Sequence, residues 1–166
     1  MSSFRQLRCP WHDLQVSDDT VVTVPFREFA CVAPPSAIDY NGHLNDAAYA
    51  QVLTDANEQF LDALGLSATY RESTGCSMYT VEITLKFLHE VSRDDVIRAE
   101  SWVASADSKR LRVATTLLVG ETPVATGDSL YLHVDTRVGR VSPFPTDRAD
   151  LLARLEKAHD EESAPR

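Results

Sequence analysis

The stretch that decides the fold is IDYNGHLNDAAYAQVLTDANEQFLDALG, residues 38–65. It opens with Asp39, Gly42, His43 and Asn45 crowded into seven residues, then turns at once into a helical pattern. Ala48, Val52, Ala56, Phe60 and Leu64 recur every four residues, and Leu53 and Leu61 widen the stripe, so the spacing predicts one long amphipathic helix over 45–64. Gly65 stands where a helix C-terminal cap is expected. Upstream, TVVTVP and REFACVAPP have β-branched, alternating character, and Pro34-Pro35 ends the second.

Downstream the period changes from four to two. SMYTVEITLKFLHEV alternates Tyr79, Val81, Ile83, Leu85 and Phe87 against Thr80, Glu82, Thr84 and Lys86. DVIRAESWVAS follows. RLRVATTLLVG then puts Leu111, Val113, Thr115, Leu117 and Val119 on one face, and TPVATGDSLYLHVDT closes the series. The links SRD, ADSK and GE are too short for a parallel crossover, so the four strands form an antiparallel meander. Residues 146–160 read as a terminal amphipathic helix with Leu151, Leu152 and Leu155 inward, and DEESAPR as a solvated tail. The expected architecture is α+β: an antiparallel sheet wrapped around one long central helix. Long strands leave an edge or a face to cover, which predicts a homo-oligomer. Three regions are expected: an N-terminal extension (1–25), a central domain (26–145), and a C-terminal helix and tail (146–166). In the extension, Cys9-Pro10-Trp11-His12 is locally distinctive and Trp11 is expected to pack on the domain.

Composition narrows the function. The chain has 166 residues, 43% hydrophobic and 25% charged, as in a soluble globular domain. A net charge of −9 argues against a grip on nucleic acid or an anionic membrane. Cys9, Cys31 and Cys76 are scattered without metal-ligand spacing, as expected of reduced thiols in a cytoplasm. No apolar segment follows Arg5 and Arg8 to make a signal peptide, and no run reaches transmembrane length. His89 and His133 match no metal pattern and read as structural histidines. There is no Gly-x-Ser-x-Gly elbow and no Walker loop.

The order strand, Asp-x-x-Gly-His-x-Asn loop, long helix and four antiparallel strands resembles the hotdog-fold acyl-CoA thioesterases of the 4-hydroxybenzoyl-CoA thioesterase type. Asp39-Tyr40-Asn41-Gly42 followed by His43-Leu44-Asn45 carries the likeness, which spans roughly residues 26–145. IDYNGHLN, YTVEITLKFLHE, DSKRLRV and LYLHVDTRVGRVSPFP resemble more narrowly the betainyl-CoA thioesterases of carnitine and betaine catabolism, which occur alone or fused to carnitine dehydrogenase. The 25 N-terminal residues depart from the family pattern.

Thioester hydrolysis needs a nucleophile or a base for water, and donors aimed at the developing oxyanion. The resemblance implies that Asp39 is the nucleophile or general base and that the backbone amide near Asp46 polarises the carbonyl, since free N–H groups crowd a helix N-terminus. Asp39 could otherwise be a turn residue, with Asn45 or Asp46 a helix cap. His43 would position Asp39, the attacking water or the thioester, or would hydrogen-bond the loop backbone. Asn45 would cap or brace the loop, and Gly42 would permit its tight turn. By the same resemblance Lys109, Arg110 and Arg112 would meet the phosphates of coenzyme A, with Lys86 and Arg137 as lesser candidates. A trimethylammonium acyl group would call for aromatic faces beside a carboxylate. Tyr40, Tyr79, Trp102 and Tyr131 are the available aromatics, and Glu82 beside Tyr79 is the carboxylate.

The expected activity is hydrolysis of a small acyl-CoA, betainyl-CoA or a related short polar ester, to the free acid and CoA. No cofactor or metal is expected, coenzyme A being part of the substrate. The family implies a homodimer or a tetramer of dimers with sites at subunit interfaces. The competing readings are a hotdog enoyl-CoA hydratase or dehydratase, and a non-catalytic module that binds acyl-CoA.

Overall fold

The computed structural model describes residues 22–163, with side chains to 159. Cys9, Trp11 and His12, and the end of the tail, lie outside the described residues. Strand β1 (Ala30–Val32) precedes a short 3-10 turn at Pro35–Ala37, then helix α1 (Asp46–Ala63) and a short helix α2 (Ala68–Thr74). Strands β2 (Cys76–Phe87), β3 (Val96–Ala106), β4 (Arg110–Val119) and β5 (Thr122–Asp135) follow, then β6 (Arg140–Val141) and helix α3 (Thr146–Ser163). The sheet is antiparallel with the order β1-β3-β4-β5-β2, and β6 pairs with β5.

Helix α1 forms where its period and caps dictate. Asn45 is the N-cap, its Oδ1 accepting the Ala48 N–H at 3.0 Å. Gly65, at φ +67°, takes the left-handed conformation that ends the helix, and the Leu66 N–H returns to the Leu61 carbonyl. The buried face is Ala48, Tyr49, Val52, Leu53, Ala56, Asn57, Phe60 and Leu61, the expected stripe with two polar members added. It lies on the concave face of the sheet and divides the core in two. Phe29, Leu44, Val91, Ile97 and Leu117 surround its first half. Phe60, Leu64, Val103, Leu111, Val113 and Leu152 surround its second. Between them sits a buried polar link. Asn57 Nδ2 donates to Ser129 Oγ at 3.0 Å, and Asn57 Oδ1 accepts from Thr115 Oγ1 at 2.8 Å. Thr115 meets Ser101 at 3.0 Å.

Helix α3 covers the part of β3 that β1 leaves bare. Leu152 and Leu155 enter the core, and His159 rests 5.8 Å from the Trp102 ring.

Three expectations change. Val22–Pro25 are not a strand; the chain reaches the sheet only through the Phe26–Ser101 bridge and then β1. Strand β2 stops at Phe87 rather than Val91, because Leu88 and His89 turn to the Val124 carbonyl and the next residues cross to α1. A bulge between Thr80 and Glu82 breaks the alternation, so Tyr79 shares the convex face with Glu82 while Ile83 lies on the concave face. Helix α2 and strand β6, neither expected from sequence, complete the fold.

Candidate active site

The loop before α1 is a tight hairpin. Ile38 and Leu44 form an antiparallel bridge, the Asp39 N–H donates to the His43 carbonyl at 2.8 Å, and Gly42 turns the chain at φ +86°. Inside it the Asp39 carboxylate is held on two sides. Oδ1 accepts the Asn41 N–H at 2.8 Å and the His43 N–H at 3.3 Å, and Oδ2 accepts Asn41 Nδ2 at 3.4 Å. Partial burial works against the charged form, but the His43 and Asn41 hydrogen bonds, with the nearby imidazole, outweigh it and hold the Asp39 pKa below the ordinary carboxylate value. Asp39 is therefore ionised at neutral pH.

Asn45 joins this hairpin to the helix. Its N–H and Nδ2 both donate to the Ala37 carbonyl, at 2.9 and 2.7 Å, while Oδ1 caps Ala48. The amides of Asp46 and Ala47 find no acceptor among the described residues, as the first turn of a helix leaves them. An ionised carboxylate thus sits beside a set of free N–H donors.

The β2–β3 connection, residues 88–95, walls the other side. His43 bridges Ser92, the Leu44 N–H donates to the Val91 carbonyl at 2.8 Å, and the Tyr49 hydroxyl donates to the His89 carbonyl at 2.9 Å. His43 Nε2 lies 3.2 Å from Glu90 Oε2. The surroundings are acidic: burial pushes the Tyr49 pKa up, and the charges of Glu90, Asp46 and Asp95 push it further. Glu90 was hidden in the sequence because the apolar pattern extended β2 through Val91.

The remaining candidate residues lie elsewhere. Tyr40 rides at the hairpin tip, 97% exposed. Tyr79, Glu82 and Trp102 stand on the convex face, so one protomer does not bring the four together. Glu82 is 3.8 Å from Arg112, which also pairs with Asp128. Arg110 pairs with Asp107 at 2.6 Å, and Arg137 with Asp135 at 2.7 Å. Of the three basic residues around the β3–β4 turn, Lys109 alone has no carboxylate partner among the described residues. That turn is at the end of the sheet away from Asp39, the 11 residues of β3 spanning about 35 Å. His133 is fully engaged: Nδ1–H donates to the Ser142 carbonyl and Nε2 accepts from the Tyr70 hydroxyl, both at 2.8 Å. Tyr131 is buried in the core.

Among the described residues no helix is long and apolar enough to cross a membrane, and no group of three or more His, Cys, Asp or Glu could hold a metal ion.

A curled antiparallel sheet around one helix, with an aspartate hairpin at that helix's N-terminus, is the hotdog arrangement, and residues 33–155 match the thioesterase-like superfamily. The chain belongs to this family of thioester hydrolases. Within it the similarity runs to one group. The chain is 33% identical over 124 residues to the betainyl-CoA thioesterase of Pseudomonas aeruginosa, covering 74% of this chain and 76% of that protein. It is 39% identical over 130 residues to the L-carnitine dehydrogenase/betainyl-CoA thioesterase of Agrobacterium fabrum, covering 77% of this chain. It spans only 26% of the length of that larger protein. A Staphylococcus aureus protein solved in complex with CoA shares the fold, with a TM-score of 0.74 and 24% identity over 83% of this chain and 89% of that one.

Proposed function

We propose that the protein hydrolyses betainyl-CoA, or a related short polar acyl-CoA, to the free acid and CoA. One observation carries the chemistry: the Asp39 carboxylate, kept ionised by its own hairpin, stands beside the unpaired amides that open α1. The thioester carbonyl oxygen docks on the Asp46 and Ala47 N–H groups, where negative charge developing on it is stabilised. Asp39 then attacks the carbonyl carbon or takes a proton from the water that does. CoA leaves as the thiolate, a good enough leaving group to need no metal.

The acyl group is inferred from similarity and charge. Asp46, Glu90 and Asp95 surround the helix mouth, a field that favours a cationic head group over an anionic one. Tyr40, on the same hairpin as Asp39, is the aromatic we assign to a trimethylammonium.

Strand β2 supports the expected dimer. It is a sheet edge 12 residues long, and Val81, Ile83, Phe87 and Leu88 on and beyond it are each 44–52% exposed. An apolar edge of this length needs a partner. A second copy pairing there antiparallel about a two-fold axis would bring its β3–β4 turn to the end of the sheet that holds Asp39. That turn would lie three strand spacings away, roughly 14 Å. The partner's Lys109 would then meet the CoA phosphates, in a reducing cytoplasm that suits the reduced cysteines Cys31 and Cys76.

The test is thiol release from a panel of betainyl-, acetyl-, medium-chain and aryl-CoA. Betainyl-CoA should give the highest kcat/KM. Turnover led by an uncharged ester would refute the acyl assignment, and no turnover of any ester would refute the enzyme.

A further inference from the structure

We propose that Glu90 is a positioning residue for the reaction, pairing with the His43 imidazole and so fixing the hairpin residue whose backbone N–H holds Asp39. The inference rests on the thioesterase reading above. Glu90 Oε2 lies 3.2 Å from His43 Nε2, an ion-pair distance. The same histidine's backbone N–H donates to Asp39 Oδ1 at 3.3 Å, so imidazole and carboxylate belong to one hairpin.

The Glu90 side chain is 74% exposed and that of His43 is 34% exposed, and a pair this open adds about 0–1 kcal/mol to stability. Its consequence is geometric. The backbone on both sides of Glu90 is fixed: the His89 carbonyl takes the Tyr49 hydroxyl, the Val91 carbonyl takes the Leu44 N–H, and Val91 is fully buried. A loop stitched at three points to the catalytic hairpin thus offers one carboxylate to one imidazole nitrogen. In hydrolysis Asp39 attacks the acyl carbon or takes a proton from the attacking water, and the Glu90–His43 pair keeps its carboxylate aimed. The C–S bond breaks with CoA leaving as the thiolate, and the protons of the water pass to solvent by way of Asp39. The balance closes with water as the only co-reactant.

The experiment is a double-mutant cycle on betainyl-CoA hydrolysis with Glu90→Ala, His43→Ala and the pair, reading kcat and KM separately. Glu90→Ala should lower kcat about 10–100-fold with KM within about twofold, a fraction of the contribution of a general base. The double variant should be no slower than His43→Ala alone. Glu90→Gln, which keeps a polar group facing the His43 imidazole, should recover most of kcat. Losses that add in the double variant, or an unchanged kcat in Glu90→Ala, overturn the proposal. If either alanine variant fails to fold, Glu90→Leu and His43→Gln carry the same cycle with the same criteria. A wild type inactive on every thioester removes the thioesterase reading itself, whereas an active wild type with additive losses removes Glu90 alone.

Discussion

Gly127 is where the sheet passes close against helix α1, and substituting it tests whether that approach is tight. A Cβ built on Gly127 would stand 2.5 Å from Leu53 Cδ2 and 3.0 Å from Leu53 Cγ, with Cδ1 closer still. Apolar carbons rest about 3.5–4.0 Å apart, so something must move by roughly 1 Å. Leu53 is fully buried on α1 and has no open space to swing into. Overpacking of this kind costs about 1–3 kcal/mol. Alanine returns about 0.4–1 kcal/mol through the unfolded chain, since Gly127 has no left-handed φ. The net expectation for Gly127→Ala is a loss of about 1–2 kcal/mol, a Tm lower by about 2–8 °C in a protein of this size. The assay is thermal unfolding of the wild type, Gly127→Ala, Leu53→Ala and the double variant. Leu53→Ala alone opens a cavity costing about 2–5 kcal/mol. In the double variant the new methyl occupies part of that space, so the two losses should fall short of additivity by about 1 kcal/mol. A Gly127→Ala Tm at or above the wild type, or strict additivity, would refute the packing of α1 described above.

Three further outcomes are expected. Ile83→Lys, placing a charge on the apolar β2 edge, should shift the protein from dimer to monomer in light scattering; an unchanged mass would place the interface elsewhere. Lys109→Ala should raise KM several-fold for a CoA ester while leaving the matching N-acetylcysteamine thioester, which lacks the nucleotide, unaffected; equal effects on both would rule out phosphate contact. Hydrogen bonds and charge from Arg137 depress the Asp135 pKa to about 2, and those of Asp39 and Asp107 are also lowered. Groups depressed in the folded state stabilise it above their unfolded pKa near 4 and lose that contribution as pH falls through the folded value. The urea midpoint should therefore decline between about pH 4 and 2, less steeply in Asp135→Asn, and an identical acid profile in that variant would contradict the assignment.

What the sequence reveals about this fold follows from which signals are periodic. Helix α1 was legible because a stripe of apolar residues and two caps agreed on its length, and β3, β4 and β5 because alternation runs through them unbroken. Helix α2 escaped because it has only seven residues and buries none of them. The bulge at Thr80/Glu82 was invisible, since an inserted residue changes face assignment without changing composition, and plain alternation sets Tyr79 and Glu82 on opposite faces although both stand on the convex one. At the site, Asp39, His43 and Asn45 were legible as a local motif. Glu90 was not, because it reaches His43 only through the departure of residues 88–95 from the ladder, a tertiary choice made by hydrogen bonds from Leu44 and Tyr49. The ion pair that occupies Arg112 is equally non-local in cause, since Asp128 meets it across strands, whereas Arg110 meets Asp107 three residues away.

The central claim, that Asp39 performs the chemistry, is tested most directly by kcat for betainyl-CoA in Asp39→Asn beside the wild type, with Tm recorded for both. Asparagine keeps the shape of the hairpin and an acceptor for the Asn41 and His43 amides while removing the charge. The account predicts a kcat lower by about 10²–10⁴-fold in a folded protein. A variant that turns over betainyl-CoA within about threefold of the wild type would contradict it, and Asp39 would be only the residue that closes the hairpin.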